Sequence, residues 1–224
     1  LNAIGADIEG AGTSEIVIHG VKREELHGAR FHVLADRIEA ATYMMAAAVT
    51  AGEVMLHNVI PAHLTSLTAK LADMGVEITT PGPNDILVRA FGDLQGVNVV
   101  TQAYPGFPTD LQAPMMALLA KAEGTSIIKE MIYENRFKHI GELKRMGAMI
   151  EQDGNVAVVT GVEELSGTQV KATDLRAGAA MIIAGLQAKG TTEIFKLHHI
   201  DRGYEHVVSK FKGLGAKIDR IPAE

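Results

Sequence analysis

The chain has 224 residues, of which 47% are hydrophobic, enough for a domain with a large core. A formal net charge of −6 argues against nucleic acid as a partner, and zero cysteines exclude disulfides and thiolate metal sites within these residues. No apolar run is long enough to span a membrane and the first residues show no signal-peptide pattern, so a cytoplasmic location is the expectation.

Residues 1–21 read as the end of a helix, a glycine cap at Gly5, a strand to Ile8 and a hairpin strand at Ile16-Val-Ile18. The same phrase returns at Leu71 to Ile78, Leu143 to Ile150 and Phe211 to Ile218. Its glycines, Gly5, Gly75, Gly147 and Gly215, lie 70, 72 and 68 residues apart. Repetition at a fixed period sets the architecture before any single motif does.

A second landmark recurs between these phrases, an aspartate ahead of an apolar helix. Asp36 precedes Met44, Met45 and Ala46 to Val49, Asp110 precedes Met115 to Ala120, and Asp174 precedes Ala179 to Ala184. Each helix ends at a glycine (Gly52, Gly124, Gly190) and leads into a short strand. These helices are apolar on nearly every face, which marks them as buried all round. The second helix of a unit is amphipathic, with Leu64, Leu67, Leu71 and Met74 on one stripe and Val207, Val208, Phe211 and Leu214 on its counterpart.

The expected fold is therefore α/β, a pseudo-threefold repeat of β-α-β-α-β-β units with three central buried helices. Residues 1–21 are out of register and read as the tail of a repeat unit of an upstream domain, leaving 22–224 as the three-unit domain. The third unit breaks off at Ile218 to Glu224, without the strand that Ile86-Leu-Val88 and Val156 to Val159 supply in the other two.

Several polar residues are unexplained by the repeat. In Tyr104-Pro-Gly-Phe-Pro-Thr-Asp110, Asp110 is either a helix N-cap, like Asp36 and Asp174, or a carboxylate base beside an anion-attracting helix end. Arg136, in the charged aromatic turn Glu130 to Phe137, joins Arg176 and Arg202 in lying at or just before an expected helix start. Each is either a solvated surface arginine or part of a convergent anion site, for which guanidinium forks are suited. His198, His199, Asp201 and His206 suggest a metal site, but adjacent histidines on a strand point to opposite faces, which argues against it.

Five segments, Asp36-Arg-Ile-Glu-Ala, Phe107-Pro-Thr-Asp110-Leu-Gln-Ala, Glu134-Asn-Arg-Phe137, Ala172-Thr-Asp-Leu-Arg176-Ala and His199-Ile-Asp-Arg-Gly-Tyr-Glu205, together resemble the UDP-N-acetylglucosamine enolpyruvyl transferases, in their C-terminal part. The resemblance spans the whole chain. It implies an inside-out α/β barrel, one of two such domains closing over a cleft. It also implies transfer of the enolpyruvyl group of phosphoenolpyruvate to the 3-hydroxyl of UDP-N-acetylglucosamine, with release of phosphate, in the first committed step of peptidoglycan synthesis.

Carried over by motif, Asp110 would contact the sugar hydroxyl and help remove its proton, with Thr109 beside it. Arg202 would bind phosphoenolpyruvate, Arg176 would assist at that end, Arg136 would brace the cleft, and Ile132 would contact the UDP-sugar. The resemblance implies no metal or organic cofactor. It places the general acid, a lysine and a further arginine on the missing N-terminal domain, so that the isolated chain is expected to be inactive. Two other readings stand beside it: the shikimate 3-phosphate enolpyruvyl transferase of the same fold, and a non-catalytic binding module derived from it.

Overall fold

The glycines that punctuate the repeat carry its geometry. Gly5, Gly75, Gly147 and Gly215 have φ of 95°, 96°, 96° and 96°, the left-handed conformation that ends a helix and that side chains with a Cβ resist. The four copies of the phrase are one structural device.

A computed structural model describes residues 1–13 and 15–221 of the chain. They divide into two compact units, one of Leu1–Leu34 and one that begins at Ala35; the phase of the repeat puts its own boundary after residue 21. In the first unit, β1 (Asp7–Glu9) pairs antiparallel with β2 (Val17–His19), Ile8 facing Ile18.

The second unit runs through α1 (Arg37–Val49), β3 (Glu53–Leu56), α2 (Thr65–Asp73), β4 (Glu77–Gly82) and β5 (Asp85–Arg89). It continues with β6 (Val99–Val100), α3 (Gln112–Leu119), β7 (Thr125–Lys129), α4 (Ile140–Arg145), β8 (Met149–Asp153) and β9 (Val156–Thr160). The last stretch holds β10 (Gln169–Lys171), α5 (Leu175–Gln187), β11 (Glu193–Phe195), α6 (His198–Asp201) and α7 (Val207–Gly213). The sheets order as β3-β5-β4, β6-β7-β9-β8 and β10-β11. The strands before and after a central helix run parallel in β6-β7 and β10-β11, and the returning strand is antiparallel in β3-β5 and β7-β9.

The three central helices α1, α3 and α5 touch one another pairwise, and Met44, Met116 and Met181 on them are fully buried. Each such side chain contributes about 1.5–3 kcal/mol by leaving water. Alanine is frequent on α1 and α5, which lets these helices approach closely. The amphipathic helices cover the outside, with Leu67 and Leu71 of α2, Ile140 and Leu143 of α4, and Phe211 of α7 turned inward.

Three expectations need correction. Leu214, expected on the apolar stripe of the last helix, is 50% exposed, because α7 ends at Gly213 and Leu214 caps it. His198 and His199 lie on the short helix α6 rather than a strand. No strand follows Gly215 among the described residues, although its counterparts lead into β4 and β8: those strands pair with β5 and β9, and no described strand plays that part in the third unit. A cavity of about 690 Å³, lined by Ile194, Phe211 and Ile218 among others, borders β11. Pro222 to Glu224, at the end of the expected third unit, lie outside the described residues. No helix among the described residues is long and apolar enough to cross a membrane.

Candidate functional site

Two of the three repeat aspartates are helix caps. The Asp36 carboxylate accepts hydrogen bonds from the amides of Ile38 (2.7 Å) and Glu39 (3.3 Å), and that of Asp174 from Arg176 and Ala177 (both 2.9 Å). Each satisfies amides that a helix start leaves unpaired.

Asp110 does something else. Pro108 directs the chain into a 3-10 turn, Thr109–Leu111, ahead of α3, and the helix itself carries no side-chain cap. The carboxylate turns instead to two guanidinium groups. Arg136 Nη1 and Nη2 donate to Asp110 Oδ1 at 2.7 and 2.9 Å, and Arg176 Nη2 donates to Oδ2 at 2.8 Å. Arg136 Nη1 also donates to the carbonyl of Thr109 at 3.1 Å, and its guanidinium lies 5.2 Å from the centroid of the Tyr133 ring. The capping alternative for Asp110 is thus excluded by where its oxygens point.

Arg202 reaches the same place by a different route, through packing. Ile200 of α6 is buried against Gly178 of α5, where a Cβ would come within 2.4 Å of Ile200 Cγ1. Gly203 lies as close to Leu175: a Cβ there would meet Leu175 Cδ2 at 2.7 Å. The next residue, Tyr204, is buried and shares a 2.8 Å hydrogen bond with Thr42 of α1. Two close approaches and one buried hydroxyl pair therefore fix the short segment that carries Arg202. Among the described residues Arg202 pairs with no carboxylate, whereas its neighbour Asp201 is held by Arg220 at 2.5 Å.

These side chains line one cavity of about 340 Å³, together with Tyr133, Asn135, Lys138, Thr173, Asp174 and Leu175. Arg136, Lys138, Arg176 and Arg202 outweigh Asp110 and Asp174 in charge, a local reversal of the chain's net −6. The Thr173 hydroxyl is buried without a partner, the kind of polar atom that a bound ligand satisfies. The start of α5 is closed by Asp174, so the positive character here comes from side chains rather than from free helix amides.

Of the residues singled out from the sequence, Asp110, Arg136, Arg176 and Arg202 come together on this cavity. Thr109 and Ile132 stand behind it: the Thr109 hydroxyl and the Ile132 amide both donate to the carboxylate of Glu130, at 3.0 and 2.9 Å, and the Ile132 side chain is half exposed. Lys138 and Thr173 were not singled out. Their signal is position alone, one beside the Glu134-Asn-Arg-Phe137 segment and one inside the Ala172 to Ala177 segment.

No histidine is among the described side chains that line this cavity. His139 is buried beneath the site with Nε2 3.2 Å from Met116 Sδ, and burial pushes its pKa down to about 4, so the ring is neutral near pH 7. The rings of His198 and His199 are tilted by 42° with centroids 4.1 Å apart, and no group of three metal-ligating side chains is found among the described residues.

The family model of EPSP synthase (3-phosphoshikimate 1-carboxyvinyltransferase) matches residues 1–211. The UDP-N-acetylglucosamine 1-carboxyvinyltransferase of Clostridium botulinum is 54% identical over 221 residues, covering 99% of this chain and 52% of that protein. The UDP-N-acetylglucosamine 1-carboxyvinyltransferase 2 of Geobacillus kaustophilus is 55% identical over 220 residues, with 98% and 51% covered. Among solved structures, the enolpyruvyl transferase NikO from Streptomyces tendae superposes with a TM-score of 0.85 at 31% identity, over 96% of this chain and 51% of that one. The chain spans about half the length of the curated relatives it matches.

Proposed function

The chain belongs to the EPSP synthase family, and we propose that within it this chain supplies one half of the active site of a UDP-N-acetylglucosamine enolpyruvyl transferase. The observation that carries the chemistry is the Asp110 carboxylate held between Arg136 and Arg176 on a cavity that Arg202 and Lys138 also line. The acceptor is favoured by the names of relatives more than half identical to this chain.

An ionised carboxylate offers about four lone-pair sites. Three are taken by the guanidinium donors, two on Oδ1 and one on Oδ2, which leaves Oδ2 a site for a sugar hydroxyl. In the proposed reaction that hydroxyl oxygen bonds to C2 of phosphoenolpyruvate while its proton passes towards Asp110 and the methylene carbon gains a proton. The resulting tetrahedral ketal then loses a methyl proton and expels phosphate, restoring the double bond. Asp110 orients and deprotonates the hydroxyl. Arg176 and Arg202, with Lys138, face the carboxylate and phosphate charges and stabilise them through the addition. The donor of the methylene proton would come from the half of such proteins that lies outside this chain. With these substrates the enzyme would act in the cytoplasm.

A second reading, with shikimate 3-phosphate as acceptor, is favoured by the name of the family model. The two are separated by incubating the full-length protein with phosphoenolpyruvate and each acceptor in turn, following phosphate release and product mass. The proposal expects one phosphate per enolpyruvylated UDP-N-acetylglucosamine and none with shikimate 3-phosphate. The reverse result selects the second reading, and no turnover with either leaves a non-catalytic binding module.

A further inference from the structure

Among the described residues Glu130 is the most completely engaged carboxylate, and it has no part in the chemistry above. It follows β7 and is 2% exposed. Its Oε1 accepts from the Thr101 hydroxyl at 2.6 Å and from the amides of Ile132 and Tyr133 at 2.9 and 3.0 Å; its Oε2 accepts from the Thr109 hydroxyl at 3.0 Å. Buried to this degree and holding four protein donors, the carboxylate is out of reach of substrate. The backbone is tied as well. The Glu130 amide donates to the Asn155 carbonyl at 2.8 Å, Asn155 Nδ2 returns a bond to the Glu130 carbonyl at 2.9 Å, and Thr101 Oγ1 accepts from the Met131 amide at 2.8 Å.

These bonds close a ring around the candidate site. From Glu130 one arm passes through Thr109 to the adjacent Asp110. The other passes through Ile132 and Tyr133 along the turn to Arg136, which returns to Asp110 and to the Thr109 carbonyl. The ring joins two segments whose first residues, Thr109 and Glu130, lie 21 positions apart in sequence. We infer that Glu130 is a positioning residue, which sets the separation of Asp110 and Arg136 by holding both of their segments with one buried carboxylate. A carboxylate buried on this scale costs free energy unless donors compensate it, and here three of the four donors come from the two segments themselves, with the Thr101 hydroxyl as the fourth. The inference rests on the proposed function only for what the positioned groups do.

The test uses Glu130→Ala and Glu130→Gln in the full-length protein. Glutamine keeps one oxygen for the three donors on Oε1 and can donate its amide to the Thr109 hydroxyl, which accepts as readily as it donates. Alanine removes the tie. Hydrogen exchange of the Ile132 and Tyr133 amides should accelerate at least roughly tenfold in the alanine variant and stay near wild type in the glutamine variant. Turnover per folded molecule should fall roughly 10- to 100-fold in the alanine variant and recover to within about threefold in the glutamine variant. Wild-type turnover with Glu130→Ala, or unchanged exchange at both amides, overturns the inference. So does a glutamine variant as impaired as alanine, since that would make the charge rather than the tie the active feature. If the wild type itself lacks transferase activity, the proposed function fails, while the exchange arm still decides whether Glu130 holds the turn.

Discussion

Replacing Asp110 by asparagine separates its two conceivable jobs. In the structure its carboxylate is 35% exposed and takes bonds at 2.7 to 2.9 Å from Arg136 and Arg176, which are 20% and 18% exposed. Ion pairs with this much solvent access are worth at most about 1 kcal/mol each. Asparagine keeps one acceptor oxygen but turns an NH₂ group towards one guanidinium, so a stability loss of about 1–2 kcal/mol is expected. The loss of a general base lowers turnover by roughly 10²- to 10⁴-fold, equivalent to about 3–5 kcal/mol in the barrier. Urea denaturation and phosphate-release kinetics on the same full-length variant compare the two. Removing a negative charge also leaves Arg136, Arg176, Arg202 and Lys138 less compensated, so inorganic phosphate should inhibit the variant more strongly than the wild type. Turnover within about fivefold of wild type, against the range expected for a base, would refute the assignment. So would an activity loss that merely follows the unfolded fraction.

Gly178→Ala places a methyl group 2.4 Å from Ile200 Cγ1, within the contact that seats Arg202. Overpacking of this kind costs about 1–3 kcal/mol, and displacement of α6 should raise the KM for phosphoenolpyruvate more than it lowers kcat. A thermal melt and initial-rate kinetics check both parts. For His139, the folded pKa is lowered to about 4 by burial, below the ordinary 6.5. The unfolded chain therefore binds the extra proton first as pH falls, so stability should decline from about pH 6.5 to about pH 4 and then level off, by up to about 3 kcal/mol. His139→Leu should flatten that window in urea titrations at a series of pH values.

The periodic parts of the fold were legible because they depend on local rules. Gly75, Gly147 and Gly215 mark helix ends by a conformation that glycine alone adopts readily, and Asp36 and Asp174 cap helices by reaching amides two and three residues on. Asp110 resembles them in sequence, but its partners are 26 and 66 residues away, and no local pattern reports a distant guanidinium. The pair His198-His199 was misplaced because a two-residue polar run shows no period, and α6 is a single turn stabilised by Ile200 packing on Gly178. The strand expected after Gly215 failed for a different reason: a strand exists only by pairing, and the pattern of Lys217 to Ile221 cannot provide its own partner. Glu130 did carry a signal. Alternation along β7 buries Ser126 and Ile128, and the next position on that face is Glu130. A carboxylate on the inward face of a strand is unusual enough to demand donors.

Half a site, as proposed for this chain, should bind weakly. Calorimetric titration of this chain with UDP-N-acetylglucosamine and then phosphoenolpyruvate, beside the same titration and a phosphate-release assay of the full-length protein, tests that most directly. The full-length protein should turn over and the chain alone should not, with no affinity of the chain tighter than about millimolar, near 4 kcal/mol. Micromolar binding by the chain alone, or phosphate released when it meets both substrates, would contradict it.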